Sequence, residues 1–361
     1  MLIMNKHFLI LLYLFFTSNC FFGQETYPIN GVKNSFVPTH AFINANLIIS
    51  PNKRISNGIL IIKDGKIIQA DSNVIIPENA IIHDLSGDFI FPSFIDLYSD
   101  YGLKKVTEKE KESRSPQYKS NKKGAYHWNQ AIHPEVHANS TFTNNLDDAK
   151  EYLSSGFGSV LTHNKDGIFR GTGCYVLLSN KNNIENMISQ KSASFYSFEK
   201  GSSRQRYPTS LMGSIALIKQ TLLDAEWYES LDRQSSITYG EYNQQKNLPQ
   251  FFSISSILDY QRVYSIGDEF EIDFIIKGNG KEYQRIDEVK STEYPLIIPV
   301  NFPNAYDVSD PESAEWITLS QLKDWETSPF NPAILSDNKI SFCLTSSDLK
   351  NRNDFLKNVR L

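Results

Sequence analysis

The sequence predicts an α/β protein in which a small block of β-strands leads into a longer series of alternating strands and helices. Three observations predict it. Between residues 41 and 95, short isoleucine-rich stretches are punctuated by turn residues with no helical periodicity between them. From Leu146 onward, apolar stretches of strand length alternate with segments whose apolar residues recur at helical spacing. Over 361 residues, 40% hydrophobic and 21% charged content supplies a barrel-sized core plus a smaller unit and excludes wholesale disorder.

In the first block, residues 42–49, 58–62 and 66–70 read as strands. Asp64-Gly65 separates the last two, and such a pair suits a hairpin turn because both positions take positive φ. A strand at 81–85 precedes Ser86-Gly87-Asp88, and 89–97 reads as one fully buried strand. Residues 104–123 are charged and poor in apolar side chains, which predicts an exposed excursion. A helix at 147–154 follows, then strands at 157–162 and 174–178. The longest helix spans 210–228, with Leu211, Ile215, Leu217, Ile218 and Leu222 at helical spacing. Beyond it come strands at 251–254, 273–276, 296–300 and 340–345, separated by helices at 257–270, 281–290 and 319–326, with a last helix at 349–359. Strands joined through such helices imply parallel βαβ units, arranged either as a barrel or as a doubly wound sheet.

The start of the chain reads as an export signal. Lys6 is followed by an apolar run at 8–16, and Gly23-Gln24 offers a small-residue cleavage neighbourhood. The expectation is a periplasmic or secreted protein cut near Gln24. Lipidation of Cys20 is the alternative, for which Thr17-Ser18-Asn19 is a poor context. The apolar run is far shorter than the roughly 20 residues a spanning helix needs, so no transmembrane helix is expected. A formal charge of −5 leaves no basic field for nucleic acid. Of the remaining cysteines, Cys174 and Cys343 read as separate buried thiols rather than a pair, and neither a CxxC nor a Cys/His zinc pattern is present.

Several stretches carry a family pattern: Ile43-Asn44-Ala45-Asn46, Asn57 through Ile67, Val74 through Pro77, Asp84-Leu85-Ser86-Gly87, and Phe91-Pro92-Ser93-Phe94-Ile95-Asp96-Leu97. On these the chain resembles the amidohydrolase superfamily, of the imidazolonepropionase-like kind found in exported bacterial proteins. Residues 274–299 are similar to that family's sixth strand, helix and seventh strand. The resemblance implies a (β/α)8 TIM-like barrel with a small N-terminal β-sandwich that lacks its usual C-terminal strands. It implies boundaries too: a signal peptide at 1–24, the sandwich part at 25–90, and the barrel at 91–361 with its excursion at 104–123.

The family's chemistry uses zinc or another divalent metal to activate water and polarise a carbonyl. Its first barrel strand delivers two histidines spaced i, i+2, which face one side. Here those positions are Tyr98 and Asp100. Further ligand positions fall near Ser253, Lys277 and Ser347, and the aspartate expected to take the proton from water stands one residue late, at Asp348. On a strand, one residue turns a side chain to the other face. No cofactor is therefore expected for this chain, although the family carries one.

Other residues have weaker claims. His133 and His137 would share a face if 131–139 were helical, and they lie on the surface or are structurally satisfied if it is a loop. His163 ends the second barrel strand, which makes it and Asp348 the candidate catalytic residues. Arg170 near it, and Arg204 and Arg206 in a polar segment before the long helix, are candidate substrate anchors, since guanidinium forks match carboxylates. Gly171-Thr172-Gly173 is a weak glycine pattern. Tyr126, Trp128, Trp227, Trp316 and Trp325 read as core or helix-packing residues.

Three functions are compatible with these residues. The first is a metal-free, non-catalytic scaffold half, completed by a second amidohydrolase unit downstream or in a partner chain. The second is an active metal-dependent hydrolase of C–N bonds with atypical ligands. The third is a periplasmic binder of a small molecule. The replaced ligand positions favour the first, and the stop at Leu361 before any returning sandwich strands leads to the expectation of a front portion of a longer protein, a truncated reading frame or a unit completed by a partner.

Overall fold

The computed structural model describes residues 37–105, 122–232 and 235–361. The expected signal segment and most of the charged excursion lie outside them. The chain forms two compact units that divide after Pro92.

In the first unit, β1 (Thr39–Ser50), β2 (Lys53–Lys63), β3 (Lys66–Asp71), β4 (Ile81–Asp84) and β5 (Phe89–Ile90) form one sheet in the order β3-β2-β1-β4, with β5 also on β1. The β1–β2 and β2–β3 pairs are antiparallel, whereas β4 and β5 run parallel to β1. Asp64 and Gly65 both have positive φ (51° and 69°), as the hairpin required. Ala41, Ile61 and Val74 cluster separately from Ala45, Leu47 and Leu60. The described residues of this unit thus form a single mixed sheet. The strand expected over 89–97 is two strands. Pro92 has no N–H for a ladder, and β6 (Phe94–Ser99) belongs to a different sheet.

The second unit is an eight-stranded sheet running in chain order from β6 to β13. Its members are β6, β7 (Phe157–Thr162), β8 (Phe169–Leu177), β9 (Met187–Ser197), β10 (Gln250–Ser253), β11 (Phe274–Lys277), β12 (Leu296–Pro299) and β13 (Phe342–Thr345). Helices cover its connections: α1 (Leu146–Ser154), α2 (Leu211–Glu229), α3 (Ile237–Gln245), α4 (Asp259–Phe270), α5 (Ile286–Lys290), α6 (Leu319–Thr327), α7 (Asn331–Asp337) and α8 (Phe355–Val359). The pairing is parallel except at β7–β8 and β8–β9, which are antiparallel. The expectation of parallel units throughout is corrected there. The link between β7 and β8 is too short for a crossover helix, so the chain turns back on itself.

One face of the sheet gathers Tyr98, Leu161, Ala193, Phe195, Phe251 and Ile297 into a single cluster drawn from β6, β7, β9, β10 and β12. Residues so far apart in strand order meet because the sheet curls. The other face packs Phe169, Tyr196, Phe252, Phe274 and Ile276 against Leu217, Ile218, Leu222, Val263 and Ile266 of α2 and α4. Each large side chain buried there contributes roughly 1.5–3 kcal/mol.

The edge strands β6 and β13 share no hydrogen-bonded ladder among the described residues, so the eight strands are not shown to close as a barrel. A side chain links them instead. The carboxylate of Asp96, fully buried, accepts from Thr345 Oγ1 (2.6 Å), Ser346 N (3.0 Å), Ser346 Oγ (2.6 Å) and Tyr98 N (3.1 Å). Gly171 is needed on β8 for another reason. With φ of 75°, an added Cβ would meet the Val136 carbonyl oxygen at 1.8 Å, so the glycine pattern there serves close packing. Replacing Asp96 with alanine strands two backbone N–H groups and two hydroxyls. A loss of at least about 3 kcal/mol is expected in urea denaturation; a loss under about 1 kcal/mol would show that the linkage carries little stability.

Candidate functional site

Where β6, β7, β11 and β13 end and β8 begins, side chains at expected metal positions come together with cations of the protein itself. Tyr98, on β6, is buried, and its Oη accepts from Arg170 Nη1 at 2.8 Å. Arg170, buried on β8, uses its other donors on Gly167 O (Nε, 3.1 Å) and Ser197 Oγ (Nη2, 2.8 Å). Each of its three nitrogens thus donates to the protein itself. Arg204 and Arg206 lie exposed on the loop ahead of α2.

Lys277 ends β11 in register with Ser253 of β10. Its buried ammonium pairs with the Asp348 carboxylate and stands 5.6 Å over the Tyr98 ring. Lys165, in the loop after β7, lies 5.1 Å over the same ring, 3.8 Å from Asp100 Oδ1 and 3.2 Å from Ser347 Oγ. Ser347 in turn donates to Asp348 Oδ1 (3.2 Å). Burial pushes the Asp348 carboxyl up, but the charge and hydrogen bond of Lys277, with help from Lys165 and Ser347, outweigh it and hold the group below its usual range. A carboxylate so held is a poor proton acceptor.

His163 is fully buried. Its ring stacks on Phe195 (3.7 Å between centroids, 4° between planes) and meets Tyr98 edge-on at 4.5 Å. Neither ring nitrogen has a hydrogen-bond partner. Burial drives its imidazole far below the ordinary value, and Lys165 and Arg170 push the same way. The ring is therefore neutral and functions as an aromatic packing element within the sheet's curl.

The remaining sequence candidates lie elsewhere. Residues 131–137 form a loop, bridged to β8 at Ile132–Phe169 and His137–Thr172, so His133 and His137 share no helix face. His137 contacts Thr172 Oγ1 (2.9 Å) and Glu241 (3.2 Å). Among the described residues, no three His, Cys, Asp or Glu side chains are grouped to hold a metal. Cys174 and Cys343 are free thiols, raised to about 12 and about 11 by burial. Trp227, Trp316 and Trp325, expected to pack in the core, are exposed because they lie on outward helix or loop faces. No helix among the described residues is long and apolar enough to cross a membrane.

The donor set does not fit a divalent ion. Metal ligands must be deprotonated and aimed at one point. Here the Tyr98 oxygen is engaged by a guanidinium, and both carboxylates face ammonium groups. A divalent ion about 5 Å from one ammonium is repelled by roughly 6 kcal/mol at an effective dielectric near 20. Sequence reasoning named Tyr98, Asp100, Lys277, Ser347 and Asp348 as positions. It missed Lys165 as a member, and the signal was available: a lysine two residues past a strand-ending histidine reaches the same strand ends.

No family model matches the sequence, and no curated protein matches it. Solved structures do resemble it. An amidohydrolase from Thermotoga maritima MSB8 superposes with a TM-score of 0.66 at 17% identity, covering 88% of this chain and 81% of its own. A further amidohydrolase (13% identity, 89% and 82% coverage, TM-score 0.46) and the beta-aspartyl dipeptidase of Fervidobacterium islandicum AW-1 (14%, 86% and 73%, TM-score 0.41) stand further off.

The neutral His163 carries a pH signature. Its folded-state value lies below the roughly 6.5 of an unfolded histidine, so the stability it confers is full above about pH 6.5 and shrinks as pH falls from there. In His163→Leu, the acid limb of a stability–pH curve should flatten by up to about 1.4 kcal/mol per pH unit. Stability at pH 7.5 should change by less than about 1 kcal/mol, because two unpaired buried nitrogens are removed with the ring. A loss above about 3 kcal/mol at pH 7.5 would show that the imidazole does more than pack.

Proposed function

Given that this chain carries the amidohydrolase-superfamily fold, we propose that it is a metal-free form of that fold, a non-catalytic scaffold unit whose strand ends are filled by its own cations. One observation supports this above all: Arg170 binds Tyr98 and Lys165 faces Asp100, two positions from which a metal would be held, while Lys277, at a third, pairs with Asp348, the candidate base. Three cations stand against two carboxylates, so the site already carries positive charge of its own and disfavours a divalent ion. The superfamily's hydrolysis of C–N bonds needs an activated water and a base free to take its proton. Asp348, paired with Lys277, is not such a base.

In this reading the partner is a second hydrolase-like unit, downstream or in another chain, and the mature protein works outside the cytoplasm. The export expectation rests on Lys6 and the apolar run at 8–16.

A zinc titration of the refolded protein, followed by elemental analysis, tests the reading. No stoichiometric ion is expected, nor any rise in melting temperature, nor turnover of N-acyl or β-aspartyl substrates with zinc or manganese. One tightly bound ion per chain, lost together with activity in Asp100→Asn, would establish the active hydrolase instead.

A further inference from the structure

The segment after β12 departs from the packing of the rest of the second unit. From residue 301 to 327 no described residue is buried, and yet the segment includes Val308, Trp316, Leu319, Leu322 and Trp325. Their exposure is large: 84% for Trp316, 68% for Leu319, 41% for Leu322 and 43% for Trp325. A soluble helix normally turns its apolar stripe inward. In α6 that stripe faces out.

Two features hold it there. Thr318 and Gln321 form a reciprocal capping box, which satisfies the first-turn donors and sets the helix start. On its inner side, Asp324 accepts from Lys281 Nζ (2.7 Å), Tyr283 Oη (2.5 Å) and Ser328 Oγ (3.2 Å), tying α6 to the turn before α5. At about 100° per residue, Leu319, Leu322 and Trp325 then fall within a stripe about 120° wide. Such i, i+3, i+6 anchors match the mode in which an amphipathic helix enters a groove.

The charges around the stripe select the occupant. With Asp324 taken up by Lys281 on the inner side, residues 301–327 still contain Asp307, Asp310, Glu312, Glu315 and Glu326 against Lys323 alone. Two copies meeting on this face would bring the two acidic sets together. An anionic membrane surface would repel it. We infer that α6, with Trp316, is a preformed docking helix for a protein partner that offers an apolar groove rimmed by lysine or arginine.

The inference supplies a surface for the scaffold reading but is tested apart from it, since a bound metal would overturn that reading and leave this helix unaffected. The probe is a synthetic two-helix peptide whose leucine-lined groove is edged by lysine, titrated onto the intact chain by calorimetry, with a glutamate-edged counterpart as control. The lysine peptide should bind, more weakly as salt rises, and by roughly tenfold or more less well to Leu319→Ser/Leu322→Ser. Trp316→Ser lies outside the helix and should weaken binding without altering the melting temperature. The inference is wrong if the lysine peptide fails to bind, if it binds these variants equally well, or if the glutamate peptide binds as tightly. It is also wrong if the wild-type chain dimerises, or binds phosphatidylglycerol vesicles, in a way that the same substitutions abolish.

Discussion

Charge placed where water is scarce must be met on the spot by hydrogen bonds or an opposite charge, and the strand ends of the second unit are arranged around that requirement. Burying an unpaired ion costs several kcal/mol even after relaxation. Asp96 meets the requirement with four hydrogen-bond donors drawn from both edge strands. Arg170 meets it with Tyr98, Ser197 and a backbone carbonyl. Lys277 and Asp348 meet it with each other. Each solution holds its side chain against the protein itself. Once these partners are in place, a divalent ion would have to displace ammonium groups and break the Arg170–Tyr98 bond before it could bind.

The fold was largely legible in the sequence because most of its strands are apolar runs bounded by turn chemistry. Phe157–Thr162 matches its expected bounds, and the long helix is offset by one residue, with Ser210 as its N-cap. Asp64-Gly65 specified its turn through backbone sterics alone. What escaped were elements whose residues do not advertise them. In β9, Met187–Ser197, the first half alternates polar and exposed residues, so its pairing with β8 is set by tertiary context. The isoleucine-rich run across Pro92 hid a boundary because periodicity cannot show which sheet a strand joins.

The candidate site was legible as a set of positions and not as a set of contacts. Reading Tyr98 and Asp100 against the histidine pattern identified what had been exchanged. It could not show that Arg170, over 70 positions away, answers Tyr98, or that Lys165 and Lys277 stand over the same ring, because those are facts of strand order. Three tryptophans were misplaced for a similar reason. Size and apolarity favour burial on average, but an outward stripe such as that of α6 is chosen by what the helix must meet.

Protein cations stand where a metal would bind. This is tested most directly by crystals grown or soaked in zinc, with data collected across the zinc absorption edge. The expected map shows the ammonium group of Lys277 on Asp348, Arg170 on Tyr98, and no anomalous peak within bonding distance of Asp100 or Asp348. An ordered peak bridging Asp100 and Asp348, with Lys277 swung aside, would contradict it.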